Sequence, residues 1–170
     1  MKYYLGDSQM TERLWVIDET RRDENYTNND PIHDLCLHRS TFVSCTFNFN
    51  VWWLSDGSNP EISNCKFINC VFKGDYFEDN VIIKNNNFEK CRFNNIRFVD
   101  CDFTMNSFTN CDFLKSTFPG CYFGKTRMIN CEIMDSPDLL SRIIVCNNSL
   151  KHILQNGKSY LYAITERSYS

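Results

Sequence analysis

The residues best equipped for chemistry in this 170-residue chain are its ten cysteines. Thiols at that density suggest disulfides or a zinc site, and either requires sulfurs to converge. Cys91, Cys101, Cys111, Cys121 and Cys131 recur every ten residues, with Cys45, Cys65 and Cys70 ahead of them. His33, His38 and His152 are scattered, with no cysteine or carboxylate partner at a ligand spacing. There is no Gly-rich phosphate loop, no His-Glu-x-x-His and no Gly-x-Ser-x-Gly. The residues therefore point away from an enzyme, and they imply neither a metal nor a cofactor.

The elements that carry the thiols follow a period of five. A large apolar residue falls at Phe88, Phe93, Phe98, Phe103, Phe108, Phe113, Phe118, Phe123, Met128 and Ile133. An earlier block keeps the spacing in another phase, through Ile32, Leu37, Phe42, Phe47 and Trp52, then Ile62, Phe67, Phe72, Phe77 and Ile82. Gly57 interrupts that block, and one extra residue in Lys84-Asn85-Asn86-Asn87 accounts for the change of phase. Two positions before these large residues the residue is mostly small: the eight cysteines, and Ser40, Asn50, Asp75, Asn80, Asn86, Asn106, Ser116 and Thr126, with Ile96 in the same series.

A period of five matches neither the helix nor the flat strand. A repeating turn does match it. If each unit makes one side of a square coil, the large residue and the small one before it both point inward. Cysteines ten apart then face each other across a core filled by Phe and cannot meet on zinc. Cysteines twenty apart, such as Cys91 and Cys111, stack one coil apart with parallel side chains, an awkward geometry for a disulfide. Unpaired cysteine packs as a small hydrophobe. The set reads as packing in a reducing compartment, which suggests the cytoplasm.

Units such as Cys101-Asp102-Phe103-Thr104-Met105 and Cys111-Asp112-Phe113-Leu114-Lys115 resemble pentapeptide repeats. The resemblance covers residues 32–135 and implies an all-β solenoid, a right-handed quadrilateral β-helix with four units per coil. In that fold Phe67, Phe72, Phe93, Phe98, Phe103, Phe108, Phe113, Phe118 and Phe123 fill the core beside Cys91, Cys101, Cys111, Cys121 and Cys131. About five coils at the usual strand spacing give a rod on the order of 25 Å long. Outward positions, including Tyr76, Arg92, Arg97, Asp102, Asp112, Tyr122 and Arg127, remain free to vary.

Residues 1–31 lack the period and are expected to form an extension covering the first coil, with Met10 to Asp18 suited to a short helix or a strand. The interval 53–61 carries the turn signals Asp56-Gly57 and Asn59-Pro60 and is expected to bulge from the rod. Trp53, Asp56 and Glu61 make it a candidate interaction loop. Residues 136–170 form a C-terminal cap or dimerisation segment. Ser136-Pro137-Asp138 suits a helix start, with Leu139, Leu140, Ile143 and Ile144 on the apolar face. A second helical stretch is expected from Ser149 through Leu150, Ile153 and Leu154 to Gly157, then a strand from Ser159 to Thr165.

The composition, 42% hydrophobic and 23% charged, fits one ordered domain. No apolar run reaches membrane-spanning length, and Met1 to Asp7 lack the core of a secretory signal. A net charge of -3 argues against a nucleic-acid binder. A rigid rod with variable walls suits a protein partner instead. The resemblance extends to the quinolone-resistance and microcin-immunity proteins that bind bacterial DNA gyrase, and it implies pairing of two chains through their C-terminal ends. It extends equally to enterobacterial effectors delivered into host cells, or to phage- or plasmid-borne inhibitors acting as interaction scaffolds. Over 36–135 eleven acids face ten bases, so imitation of duplex DNA would need one face to collect the acids.

Overall fold

The computed structural model describes residues 12–28, 32–49, 60–74, 81–145 and 149–160. The chain first makes β1 (Glu12–Ile17), β2 (Thr20–Arg22) and β3 (Asn25–Asn28), then β4 (Ile32–His38), β5 (Thr41–Val43) and β6 (Thr46–Phe49). Next come β7 (Glu61–Ser63), β8 (Lys66–Ile68), β9 (Val71–Lys73), β10 (Ile82–Lys84), β11 (Asn87–Glu89) and β12 (Arg92–Asn94). The regular part ends with β13 (Ser107–Thr109), β14 (Asp112–Leu114), β15 (Arg127–Ile129) and β16 (Glu132–Met134). After it stand one helix, α1 (Leu139–Val145), and β17 (Ser149–Lys151), β18 (Ile153–Gln155) and β19 (Lys158–Tyr160).

Stacked coils give a first wall of β1-β4-β7-β10, a second of β2-β5-β8-β11-β13-β15-β17 and a third of β3-β6-β9-β12-β14-β16-β18-β19. All neighbours are parallel except β18 and β19. Past β10 the first wall continues through bridges from Ile82 to Asp102 and Asp102 to Tyr122, and a bridge from Arg97 to Thr117 marks a fourth wall. The solenoid is thus four-sided.

Each corner has one cause. Two residues after each inward large residue the backbone turns left-handed, with φ near +55° at Asn64, Asn69, Asn85, Asn95, Asn110 and Asn130. Asn and Asp enter that region at low cost, which explains the abundance of Asn in the chain. Where Lys90, Met105 or Lys115 occupies a corner, also at positive φ, the coil imposes the conformation.

Inside, the aromatic rings stack. On the second wall Phe67–Phe88 and Phe88–Phe108 have centroids 4.9 and 4.8 Å apart, with planes within 7°. On the third, Phe72–Phe93 and Phe93–Phe113 stack at 4.9 and 4.8 Å. Phe98–Phe118 and Phe103–Phe123 repeat this on the fourth and first walls. Around each coil, neighbours meet edge to face, as Phe108 and Phe113 do at 68°.

The small inward residue is small and also a donor. On the third wall Cys70, Cys91, Cys111 and Cys131 form a column. Their thiols donate to the carbonyls of Phe42, Phe67, Phe88 and Phe108 one coil back, at 3.4–3.5 Å. Elsewhere Thr126 donates to the Phe103 carbonyl at 2.7 Å, and Asn86 donates to that of Ile62 at 2.7 Å. The described cysteines are free thiols. Cys91, Cys101, Cys111, Cys121 and Cys131 are buried, as are the nine Phe residues from Phe67 to Phe123 expected in the core.

The structure departs from the sequence reading in four places. Val81 and Ile83 are the buried pair, with Ile83 opposite Ile62, so the extra residue precedes Val81 and does not lie in Lys84 to Asn87. Burying Val and Ile is cheaper than burying Asn80 and Ile82 in that register. Asp75, Phe77 and Asn80 lie outside the described residues. Leu37 pairs with Ile62, a coil of 25 residues against the 21 from Ile62 to Ile83, so the interval before β7 absorbs extra length without loss of register.

Secondly, Glu12 to Asn28 forms a coil of the same solenoid, with β1, β2 and β3 paired to β4, β5 and β6. It is no separate covering. Arg21 stands in register with Phe42 and forms ion pairs with Glu19 and Glu24, while Tyr26 stacks on Phe47 at 4.8 Å and donates to Glu24 at 2.7 Å. A paired polar layer thus ends the apolar stack.

Thirdly, α1 begins as expected, but Ser136 does not cap it. The Ser136 hydroxyl faces inward, accepts from the Ser116 N–H at 2.9 Å and donates to the Met134 carbonyl. Asp138 precedes the helix: its carbonyl accepts from Arg142 N–H, and its carboxylate accepts from Phe118 N–H. Fourthly, residues 149–155 are strands. Leu150 continues the second-wall column beside Met128, and β19 turns back on β18 through Asn156 and Gly157, both at positive φ. Pairing with an open sheet edge outweighs the local helical spacing. The rest of the expected strand, 161–165, lies outside the described residues.

Phe113→Ala, which opens a gap in the third-wall stack, is expected to lower unfolding stability by about 3–5 kcal/mol in urea titration, and Phe103→Asp to prevent folding. A Phe103→Asp protein that melted like the parent would contradict the inward stack. Burial pushes the thiol of Cys65 up to about 11 and of Cys91 up to about 12, from 9.0. An unfolded chain loses these protons at lower pH than the folded one. Stability is therefore fully retained below about pH 9 and declines as pH rises from there toward 12, which thermal melts across that range will show.

Candidate interaction surface

With the core filled, the side chains on either side of each inward residue, and those at the corners, make up the working surface. Trp53 and Asp56 lie outside the described residues. Glu61 is part of the first wall, not of a projecting loop: it opens β7, opposite Cys36 and Ile82. Asp102 stands on the first wall and Asp112 on the third, so these acids do not share a face.

Two ion pairs mark the first and third walls. Arg39 grips the Asp18 carboxylate with two hydrogen bonds of 2.6 Å, which hold the exposed Asp18 below the usual carboxylate range. On the third wall Arg92 and Asp112 approach to 3.7 Å. The second wall differs. Counting the residues that flank its strands, it exposes Arg22, Lys66, Lys90, Arg127 and Lys151, and its acids are Glu19, which pairs with Arg21, Asp23 and Glu89. The sequence reading weighed net charge alone and missed this sorting, which appears only when residues are placed by wall.

The first wall carries two exposed aromatic side chains. Trp15 and Tyr122 keep 51% and 57% of their surface in solvent. The Tyr122 ring lies over Gly124, where a Cβ would come within 2.6 Å of it. Low on the third wall a shallow groove of about 350 Å³ runs past Asp112, Asn130, Glu132, His152 and Leu154. Among the described residues no three His, Cys, Asp or Glu side chains converge as metal ligands, and no helix is long and apolar enough to cross a membrane.

No family model matches the sequence, and no curated protein matches it. Among solved structures the chain is similar to the pentapeptide repeat protein Rfr23 from the cyanobacterium Cyanothece 51142. Identity there is 9%, over 68% of this chain and 86% of that one, with a TM-score of 0.45. It is also similar to full-length QnrB1, a plasmid-mediated fluoroquinolone resistance protein, at 13% identity over 82% of this chain and 92% of that one, with a TM-score of 0.21. The fold stands on the chain's own coils: left-handed corners at a five-residue spacing, a filled core and strands in register on the walls. By that geometry, and by its repeat, the chain has the fold of a pentapeptide-repeat protein.

Proposed function

We propose that this chain is a non-catalytic rod that binds a protein partner through its outward walls. One observation carries the reading. The inward side chains are used up by stacking and by hydrogen bonds to the neighbouring coil, which leaves flat, rigid walls whose side chains are held in columns at the strand spacing. Partner surfaces of mixed charge suit such walls. Duplex DNA carries about one negative charge per 1.7 Å, and no described wall gathers acids at a comparable density.

Within this reading, DNA gyrase is the specific candidate that the repeat resemblance supplies. Contact with it would depend on the 53–61 interval and not on imitation of DNA. The balanced first and third walls, and the basic second, favour the alternative: an interaction scaffold, acting as an effector or as an inhibitor of another protein.

A gyrase supercoiling assay with and without fluoroquinolone separates the two. Unchanged supercoiling and unchanged drug sensitivity at micromolar protein are expected, and they would assign the rod to a different partner. A clear shift in either would establish gyrase instead. Photo-crosslinking from Lys84, Asn87 and Lys73, one on each of three walls, is expected to capture a protein in bacterial or host lysates. Absence of any adduct at all three would end the protein-binding reading.

A further inference from the structure

Resting on that protein-binding reading, we propose that the second wall is the docking face and that it takes an acidic, extended polypeptide segment. The chain has a net charge of -3, yet this one wall is basic. Arg22, Lys66, Arg127 and Lys151 project from β2, β8, β15 and β17, Lys90 stands at the corner that follows β11, and each is exposed. None of the five takes part in the ion pairs found among the described residues, whereas Arg39 and Arg92 on the other walls do. Glu19 is paired with Arg21 and Asp23 sits at the corner of the first coil, so Glu89 on β11 is the acid in the middle of the wall among the described residues, and the cations outnumber it.

The spacing selects the ligand. Strands in this wall stand about 4.8 Å apart, so successive cations are separated by about 5–10 Å along the rod axis. An extended polypeptide advances about 3.3 Å per residue, so acids at every second or third position meet them in turn. Between the cations the wall is lined by Thr41, Asn87, Ser107 and Thr109 and by the partly exposed Val43, Ile68 and Ile129, a surface without large aromatic side chains.

Nucleic acid fits less well. The aromatic rings of these strands are inward and cannot stack on bases. Five cations over about 29 Å are also sparse against a phosphate every 3.4 Å of strand. The proposal therefore names carboxylates on a polypeptide.

The test is fluorescence anisotropy of the full chain with a labelled oligoglutamate peptide at low ionic strength. Binding is expected, and it should weaken several-fold when salt shortens the screening length. Lys66→Glu combined with Arg127→Glu should weaken it by about tenfold or more, while Lys84→Glu on the first wall combined with Lys73→Glu on the third changes it less than about twofold. Thermal melts of both doubles should match the parent, since all four side chains are outward. Absence of peptide binding, equal losses from the two doubles, or tighter binding of a labelled oligothymidine would overturn the proposal. Lysate crosslinking distinguishes its failure from that of the broader reading. Adducts from Lys84 or Lys73 but not from Asn87 would leave a protein-binding rod whose docking face is elsewhere, and no adduct at any wall would remove both.

Discussion

Coils stacked about 4.8 Å apart satisfy two demands with one distance. The backbone needs that spacing for parallel strands to exchange hydrogen bonds. Face-to-face phenyl rings need nearly the same one, and Phe88–Phe108 and Phe93–Phe113 adopt 4.8 Å. A residue that fits one coil therefore fits the next, and the repeat is held by contacts between neighbours instead of by any coil alone. The left-handed corner makes this possible, because it returns every fifth side chain to the axis. Where a donor stands two positions before the inward residue, it closes the remaining gap by reaching the carbonyl of the coil behind it, as Cys91 and Thr126 do.

Such a rod has two weak places, its ends, where a ring loses its neighbour on one side. The chain treats the two ends differently. At the first coil Arg21, Glu19, Glu24 and Tyr26 replace rings with a layer of paired charges and a hydrogen-bonded phenol. At the other end Leu139, Leu140 and Ile143 of α1 bury themselves against the last coils, and the Asp138 carboxylate ties the helix start to Phe118. Polar closure spares the first coil an exposed apolar face, and helical closure adds apolar burial where the repeat stops.

What was legible in the sequence was the inward column. Phe93, Phe103 and Phe113 announce themselves because burial, size and period agree, and Cys91 and Cys111 follow from the space left beside them. What was not legible depends on pairing across coils. Arg21 occupies an inward position no apolar pattern would assign, because two carboxylates meet it there. Leu150 and Ile153 have helical spacing, but the edges of β15 and β16 draw them into strands. The Val81 and Ile83 register shows the same limit: two phases were apolar enough, and the match of Ile83 to Ile62 decided between them. The candidate surface was hidden for a related reason, since Lys66 and Arg127 are far apart in sequence and share a wall only after three turns of the coil.

The same independence of core and wall bears on how a partner would act. Outward residues on the second wall alternate with the buried ring positions and point away from them, so its charge can change while the stack does not. A ligand lying along that wall, however, would cross from β2 to β17 and span both ends as well as the middle. Nearest-neighbour stability makes the terminal coils the first to open, so a partner that bridges several coils holds the weak ones to the strong ones. Binding along the axis then stabilises the folded rod by mass action, while a ligand confined to a single coil would do so only locally. If the second wall is the docking face, a long, regular wall would be rigid before the partner arrives and more so afterwards.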